Sequence, residues 1–284
     1  MRTVKTIAEM RAARRNMEGS VGFVPTMGYL HEGHLALVRK AREENDIVIV
    51  SIFVNPTQFA PGEDFNVYPR NSEHDMELLR NESADLVLIP SGEEVYPPEC
   101  ATWVDVEGVT ERLEGASRPG FFRGVATVVT KLFNIVRPHR AYFGRKDAQQ
   151  LLTIRKMVAD LNMDLEIVPV ATVREPDGLA LSSRNVYLDP EERRSALVLW
   201  NSLQLAKERW SAGERDAEKI RREMAELISA NPNAEIDYVS LADTDTLEEL
   251  NLIDRPALVS LAVRIGGTRL IDNITLCVEK SPGT

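Results

Sequence analysis

A run of eight residues, Ile47–Val54, constrains the fold more than any other segment, because seven of them are apolar and several are β-branched. Such a run is typical of a strand buried on both faces, as in a parallel sheet covered by helices. It is far shorter than the roughly 20 apolar residues that a membrane-spanning helix needs. The chain is therefore expected to place this strand inside a helix-covered sheet.

Strand-like and helix-like segments alternate on both sides of this run, up to about residue 175. Strands that alternate with helices of about 10–15 residues indicate βαβ units on a parallel sheet. The predicted strands are Val21–Pro25, Asp46–Val54, Asp85–Ile89, Ala141–Phe143 and Leu165–Val170. The predicted helices are Gly33–Glu44, one that Ser72 caps, Gly124–Val136 and Asp147–Leu161.

The pattern changes after Val170, with a loop rich in Pro, Asp, Gly and Ser over Arg174–Asn185. The remaining segments predict a helix after Pro190 over Glu191–Ala212, another from Glu214 to near Asn231, and strands Ile236–Leu241, Ala257–Val263 and Thr268–Ile271. We therefore predict an α/β protein with a parallel-sheet domain over 1–175 and a smaller α+β domain over 176–284. The boundary is expected between residues 172 and 186.

Composition excludes several classes of protein. A net charge of −10, from 34 basic and 44 acidic residues, is not the overall charge pattern of a nucleic-acid binder. Two distant cysteines, Cys100 and Cys277, exclude a disulfide framework and a CxxC zinc or redox motif, and their roles stay open. Met1–Met10 contains no apolar stretch of signal-peptide length. We expect a cytoplasmic protein with neither a nucleic-acid nor a membrane partner.

The segment Pro25–His34, PTMGYLHEGH, lies between the first predicted strand and the next helix. In open parallel sheets ligands bind at the carboxyl ends of strands, which is where this turn falls. His31 and His34 are three residues apart and share one face of a helical turn. His34 is expected near a helix N-terminus, where backbone N–H groups favour anions. Phosphate binding is the favoured interpretation, with a structural role and a metal site as alternatives.

Further blocks follow in order: SIFVNPTQF at 51–59, YPR at 68–70, LEGASRPGFFRGV at 113–125, FGRKDAQQ at 143–150, DGLALSSRN at 177–185 and RLIDN at 269–273. Together with PTMGYLHEGH they resemble the pantoate–β-alanine ligase (pantothenate synthetase) family over nearly the whole chain. The HxxH element is similar to the HIGH motif of the nucleotidyltransferase superfamily. The resemblance implies a Rossmann-like first domain and a C-terminal α+β lid.

The resemblance also implies a reaction. The family joins pantoate to β-alanine with ATP and Mg²⁺ through a pantoyl adenylate, and releases pyrophosphate and AMP. It implies a homodimer, with pantoate, β-alanine and ATP as the small-molecule partners. Two other classes stay open at this point: another nucleotidyltransferase that keeps the nucleotide on its product, and a nucleotide-binding regulatory module without catalysis.

The matching blocks carry the family's site residues onto this chain. The implied catalytic residues are His31, His34, Lys146, Ser182, Ser183 and Arg184. The implied ATP contacts are these six and Pro25, Met27, Gly28, Tyr29, Leu30, Glu32, Gly33, Gly144, Arg145, Asp147, Val173 and Leu181. Substrate binding falls to Asn55, Gln58, Tyr68, Arg123 and Gln150.

Several of these assignments keep a second interpretation. Asp75 is expected to help hold a Mg²⁺ that the ATP phosphates mainly bind, or else to lie on a solvated helix face. Asp147 also suits a helix N-cap. Arg118 and Arg123 either approach the substrates or pair with acidic neighbours. The Ser182–Arg184 segment, which resembles a KMSKS-type phosphate loop, is otherwise an interdomain linker.

Overall fold

The structure, a computed structural model, describes residues 1–60, 62 and 64–277. Its backbone divides into two units, one over Met1–Val173 and a second that begins at Arg174. The first contains a parallel sheet and the second a smaller antiparallel sheet, each with helices. The predicted fold class is therefore confirmed. Among the described residues, no helix combines the length and the apolar character needed to cross a membrane.

Within the described residues the strands of the first unit are β1 (Arg2–Val4), β2 (Val21–Thr26), β3 (Ile47–Ile52), β4 (Leu86–Leu88), β5 (Arg140–Gly144) and β6 (Glu166–Val170). They lie in the order β1-β4-β3-β2-β5-β6, and neighbouring strands run parallel. Val48, Ile49 and Val50 of β3 are each 0% exposed, which confirms that this strand is buried on both faces. The chain reverses its direction of travel across the sheet between β2 and β5.

The helices of the first unit, among the described residues, are α1 (Ile7–Arg15), α2 (Glu32–Glu44), α3 (Ser72–Asn81), α4 (Gly92–Val95), α5 (Glu114–Ser117), α6 (Phe121–Val136) and α7 (Ala148–Asp160). The sequence did not predict β1 or α1, because β1 has three residues and α1 buries Met10 and Ala13 alone. The predicted cap of α3 was wrong by one residue. The Asn71 side chain, not Ser72, accepts the His74 N–H.

The second unit contains α8 (Pro190–Ser195), α9 (Leu197–Ser211), α10 (Ala217–Ser229), β7 (Ala234–Asp243), β8 (Ala257–Ile265) and β9 (Thr268–Leu276) within its described part. The three strands form an antiparallel sheet in chain order. The single helix predicted over Glu191–Ala212 is two helices. Ala196 between them has φ −61° and ψ −21°, the angles of a tighter 3₁₀ turn.

Candidate active site

A crevice is expected where the sheet changes direction, between the carboxyl ends of β2 and β5. The register pairs Gly22 with Arg140 and Phe23 with Ala141. The Val21 carbonyl accepts the His139 N–H of the β5 side at 2.9 Å, so alternate residues of β2 face β5. After Phe23, the next β2 residue that faces β5 is Pro25, which has no N–H to donate. The ladder cannot be extended there, and the strands are free to separate.

The turn after β2 has a backbone with positive φ angles, and a buried carboxylate accepts hydrogen bonds from it. Gly28 and Tyr29 have φ of 82° and 51°. A Cβ on Gly28 would lie 2.9 Å from Ile52 Cγ2 and 3.0 Å from Asp75 Oδ2. The Asp75 carboxylate accepts the N–H groups of Tyr29 at 2.9 Å and Leu30 at 2.7 Å. Asp75 therefore fixes the path of the chain that leads into α2.

This geometry corrects one of the two interpretations of Asp75. The residue is 1% exposed, so it does not lie on a solvated helix face. Both carboxylate oxygens are occupied by backbone donors. Among the described residues, no group of three or more His, Cys, Asp or Glu side chains is arranged to hold a metal ion. The proximity of Asp75 to Mg²⁺ stays a prediction.

The two histidines of the HxxH motif surround the first turn of α2. Nδ1 of His31 accepts the Gly33 N–H at 3.2 Å, and Nδ1 of His34 accepts the His31 N–H at 3.3 Å. The ring centroids are 4.1 Å apart. Because Nδ1 is the acceptor in both rings, we assign the proton of each neutral ring to Nε2. The motif therefore provides two Nε2–H donors beside a helix N-terminus.

Both rings stay neutral at physiological pH. Burial is the main cause that lowers the pKa of His31 from 6.5 to about 4 and that of His34 to about 3. For His34 the neighbouring His31 adds to the effect, and the positive charge of Lys146 lowers the pKa of both histidines. Neutral imidazoles can donate to a phosphate oxygen without carrying a charge of their own. Lys146 follows the carboxyl end of β5, and β5 is the neighbour of the strand that precedes the HxxH turn.

Lys146 belongs to a short 3₁₀ helix, Arg145–Asp147, that directly follows Gly144 at the end of β5. Its side chain is 20% exposed, and its Nζ lies 3.8 Å from Asp147 Oδ1. A solvated surface lysine would be more exposed than this. Asp147 occupies the N-cap position of α7, but its side chain makes no capping hydrogen bond. Asp147 is therefore the N-cap residue that the sequence predicts, but its carboxylate does not cap the helix.

Asn55 and Gln58 lie after the carboxyl end of β3, where Pro56–Gln58 forms a 3₁₀ helix. Asn55 is 1% exposed, and its Nδ2 donates to Gln58 Oε1 at 2.9 Å and to the Gly124 carbonyl at 3.2 Å. A Cβ on Gly124 would lie 2.2 Å from the Thr57 carbonyl oxygen, so α6 can approach this turn because residue 124 is a glycine. Asn55 thus orients the Gln58 amide and leaves its Nε2 for another acceptor.

Two adjacent glutamines at the start of α7 have different roles. Gln149 is 6% exposed, and its Oε1 accepts the Glu114 N–H at 3.0 Å. Its Nε2 donates to the carbonyls of Val109 and Arg112, each at 2.7 Å. Gln150 is half-buried and makes no side-chain hydrogen bond to another described residue. Gln149 is therefore structural, whereas the Gln150 amide is available to a ligand.

The remaining predicted substrate contacts differ in their surroundings. Tyr68 is buried and meets the Phe59 ring edge-on at 5.8 Å between centroids. Arg118 donates to the Gln58 carbonyl at 3.0 Å, so it supports the same turn as Asn55. Arg123 is exposed, lies over Trp103 at 4.9 Å and pairs with Asp105 at 3.4 Å. This contact is the acidic pairing that was the alternative interpretation of Arg123.

The Leu181–Arg184 segment belongs to the second unit. Ser182 caps a 3₁₀ helix over Ser183–Tyr187, and its Oγ accepts the Arg184 N–H at 3.3 Å. Ser183 is 8% exposed. The segment is thus a folded turn, and its contact with phosphate stays a prediction. Val173, the last residue of the first unit, is half-buried.

Comparison with known proteins decides between the classes that the sequence left open. The family model for pantoate–β-alanine ligase matches residues 2–275 of the chain. The chain belongs to the pantoate–β-alanine ligase family. This membership makes the chain a ligase, and it excludes a regulatory module without catalysis.

Relatives and solved structures of this ligase family match nearly the whole chain. The pantothenate synthetase of Roseiflexus castenholzii is 61% identical over 276 residues, 97% of this chain and 99% of that protein. That of Thermotoga petrophila is 56% identical over 279 residues, 97% of this chain and 100% of that protein. The match to a crystal structure of the Thermus thermophilus pantothenate synthetase covers 96% of this chain and 99% of that protein's chain, with a TM-score of 0.92 and 52% identity. The Francisella tularensis pantoate–β-alanine ligase, complexed with β-γ ATP and β-alanine, covers 100% of both chains with TM-score 0.80 and 34% identity.

Proposed function

We propose that this ligase condenses pantoate with β-alanine in two steps. A pantoate carboxylate oxygen attacks the α-phosphorus of ATP, the bond to the β-phosphate breaks, and pyrophosphate leaves. The β-alanine amine then attacks the acyl carbon of the pantoyl adenylate, AMP leaves, and the amine loses a proton. The observation that carries this proposal is that Nδ1 of both histidines in the HxxH turn accepts a backbone N–H, which leaves both Nε2 atoms to donate to a ligand.

The first step develops negative charge on the bridging and pyrophosphate oxygens. Donors aimed at that charge gain strength in the transition state and so accelerate the step. We assign this role to His34 and Lys146, with His31 and the N-terminus of α2 binding the phosphates in the ground state as well. The proposed ATP contacts continue through Gly144 and Asp147.

Pantoate carries two hydroxyls and a carboxylate, and side-chain amides can bind the hydroxyls as donor and acceptor. Gln58 and Gln150 are the proposed hydroxyl ligands. The bond from Asn55 to Gln58 Oε1 supports this assignment, because it fixes which end of the Gln58 amide stays available. Tyr68 is proposed to close the apolar side of the same pocket. We propose that Arg123 keeps a weaker role at the rim.

The second unit is proposed to supply a lid with Leu181, Ser182, Ser183 and Arg184 as its phosphate contacts. Mg²⁺ is proposed to arrive bound to the ATP phosphates, where it would neutralise part of their charge. The described donor set does not fit a metal site built by the protein alone. No step therefore depends on a Mg²⁺ that the protein itself holds.

Isotope exchange tests the proposed order of steps. Labelled pyrophosphate should exchange into ATP when pantoate is present and β-alanine is absent. Addition of β-alanine should then release AMP and pantothenate in equal amounts. Exchange that strictly requires β-alanine would contradict a free pantoyl adenylate. A product that retains the nucleotide would instead indicate a nucleotidyltransferase reaction.

Two properties beyond the chemistry are proposed with the function. A homodimer of about twice the 31.8 kDa chain mass should appear in light scattering at micromolar concentration, and a monomer there would refute it. Cys100 and Cys277 are both free thiols, which supports a location in the reducing cytoplasm.

A further inference from the structure

A buried ion pair ties the start of the second unit to its last strand. Arg174 NH1 donates to Asp272 Oδ2 at 2.6 Å, and Arg174 NH2 donates to Asp272 Oδ1 at 2.8 Å. The Asp272 side chain is 2% exposed and that of Arg174 is 17% exposed. This bidentate arrangement fixes the relative orientation of the guanidinium and the carboxylate as well as their distance. A loop-to-strand connection of this kind restricts the loop in both position and orientation.

The Arg174 guanidinium also donates hydrogen bonds to backbone carbonyls of the loop and of β9. Arg174 NH1 donates to the Gly178 carbonyl at 3.0 Å, and NH2 donates to the Asn273 carbonyl of β9 at 3.3 Å. The Arg174 Cζ lies 4.0 Å from the centroid of the Trp200 ring on α9. Arg174 therefore joins a turn, a strand and a helix of the second unit at one point.

The turn held in this way is a small closed hairpin. Arg174 and Ala180 form an antiparallel bridge, and the Gly178 N–H donates to the Glu175 carbonyl at 2.8 Å. Gly178 has φ 100°, and a Cβ there would lie 2.0 Å from Trp200 Cδ1. Position 178 therefore requires glycine for its backbone and for the approach of the Trp200 ring.

The hairpin ends at the residue that precedes the proposed phosphate contacts. Ala180 is bridged to Arg174, and its carbonyl accepts Nδ2 of Asn185 at 3.1 Å. Leu181–Arg184 thus lies between Ala180 and Asn185, which this hydrogen bond joins. Arg193 NH2 adds a second anchor, since it donates to Glu175 at 2.7 Å and to Asp177 at 2.8 Å.

We propose that the Arg174–Asp272 pair is a positioning device, which orients the Leu181–Arg184 segment for the ATP phosphates without touching ATP. This inference rests on the proposed function of that segment. A misplacement of about 1 Å can lower a rate by as much as roughly 100-fold. The pair therefore sets how well the enzyme uses ATP, beyond any contribution to folding.

The test separates positioning from stability with a double variant. Asp272→Asn alone leaves the Arg174 charge buried and partly unpaired, so it is expected to weaken folding as well. Arg174→Met combined with Asp272→Leu replaces the pair with apolar side chains of similar size, so neither charge is left buried without its partner. The variant still removes the hydrogen bonds to the backbone of Gly178 and Asn273, so thermal unfolding measures that separate cost. Asp237→Asn is the matched control. It removes another Arg–Asp pair of the same sheet, that of Asp237 with Arg269 at 2.6 Å, which lies outside the hairpin.

Three measurements are made on each protein: thermal unfolding, initial rates against ATP and pantoate separately, and the rate of tryptic cleavage after Arg184. The folded double variant should lose about 10-fold to 100-fold in kcat/KM for ATP, with the pantoate KM within about twofold of the starting value. Cleavage after Arg184 should become faster. The Asp237→Asn protein should match the parent in all three measurements.

Each outcome has a clear meaning. A folded double variant with unchanged kcat/KM for ATP and unchanged cleavage overturns the positioning role. Equal losses toward ATP and pantoate would show general damage and would also overturn it. If the parent enzyme releases no AMP from ATP, pantoate and β-alanine, the proposed function fails. In that case unchanged tryptic cleavage after Arg184 in the double variant would still show that the Arg174–Asp272 pair does not hold the segment, because this measurement needs no activity.

Discussion

Acid titration of His31 and His34 tests the electrostatic basis of the candidate site directly. In each ring Nδ1 accepts a backbone N–H, so protonation of Nδ1 would break a hydrogen bond as well as bury a charge. Lys146 opposes the same protonation through its positive charge. Both histidines are therefore expected to remain neutral, with the proton on Nε2, well below the pH at which an exposed histidine becomes charged.

The size of the effect follows from the two pKa values. A shift of one unit corresponds to 1.36 kcal/mol, so lowering the pKa of His34 from 6.5 to about 3 favours its neutral form by about 5 kcal/mol. At pH 5 such a ring is about 1% protonated, and His31, with a pKa of about 4, is about 9% protonated. An ordinary histidine with a pKa near 6.5 would be about 97% protonated there.

The chain has four histidines, which makes NMR of the ring Cε1–H and nitrogen signals a tractable assay. His31→Gln and His34→Gln assign the two signals. Both midpoints should lie below about pH 5, and the nitrogen shifts should report the Nε2–H form. Lys146→Gln removes a nearby positive charge, so the pKa of both histidines should rise. A His34 signal that titrates near pH 6.5, or no response of either ring to Lys146→Gln, would refute the electrostatic argument.

The same shifts have a consequence for stability. The folded-state pKa of each histidine lies below its unfolded value of 6.5, so the unfolded chain takes up more protons in acid. The full stability is present above about pH 6.5 and falls as the pH drops toward the folded-state values of about 4 and 3. At pH 5 the loss is about 2 kcal/mol for each histidine. His34→Gln should reduce the difference in unfolding free energy between pH 8 and pH 5 by about that amount.

Three substitutions test other parts of the site. Asp75→Asn exchanges one acceptor oxygen for a donor group, so one backbone N–H of the turn loses its partner. It should lower the free energy of unfolding in urea by about 1–3 kcal/mol and lower turnover. Unchanged stability would contradict the role of Asp75 in fixing the turn after β2. Gln58→Ala should raise the pantoate KM by about 5-fold to 100-fold while ATP affinity stays constant; equal weakening of both would indicate general damage. Gly124→Ala places a Cβ 2.2 Å from the Thr57 carbonyl oxygen, so it should lower the melting temperature and raise the pantoate KM together. A variant with parental values of both would show that α6 does not support this turn.

The sequence predicted the elements that local patterns determine. The continuous apolar run identified β3 as a buried strand, because it is short, rich in β-branched residues and without the 3.6-residue period of an amphipathic helix. Local patterns did not predict β1, a three-residue strand at the sheet edge, or α1, whose buried face is narrow. Short elements of this kind are stabilised by their neighbours, and a local pattern contains no information about those neighbours.

The site followed the same division. The HxxH spacing placed the two histidines together near a helix N-terminus, because residues three apart in sequence lie on one face of a helical turn. The Asp75 carboxylate meets Tyr29 across 46 positions of sequence, and Gln149 meets Glu114 across 35. No spacing rule relates such distant positions. The difference between structural Gln149 and available Gln150 follows from side-chain directions on α7, which the sequence pattern could not separate.

Three local rules are broken at one place, and this coincidence indicates where the function lies. Pro25 occupies a central strand, where the loss of an N–H normally excludes proline. Tyr29 has a positive φ of 51°, which a bulky side chain normally avoids. His34 buries an ionisable ring that stays uncharged. Each exception costs stability by itself, yet all three lie around the turn between β2 and α2, next to the end of β5. A chain keeps such exceptions together where the open strand end, the fixed backbone and the neutral donors serve one ligand.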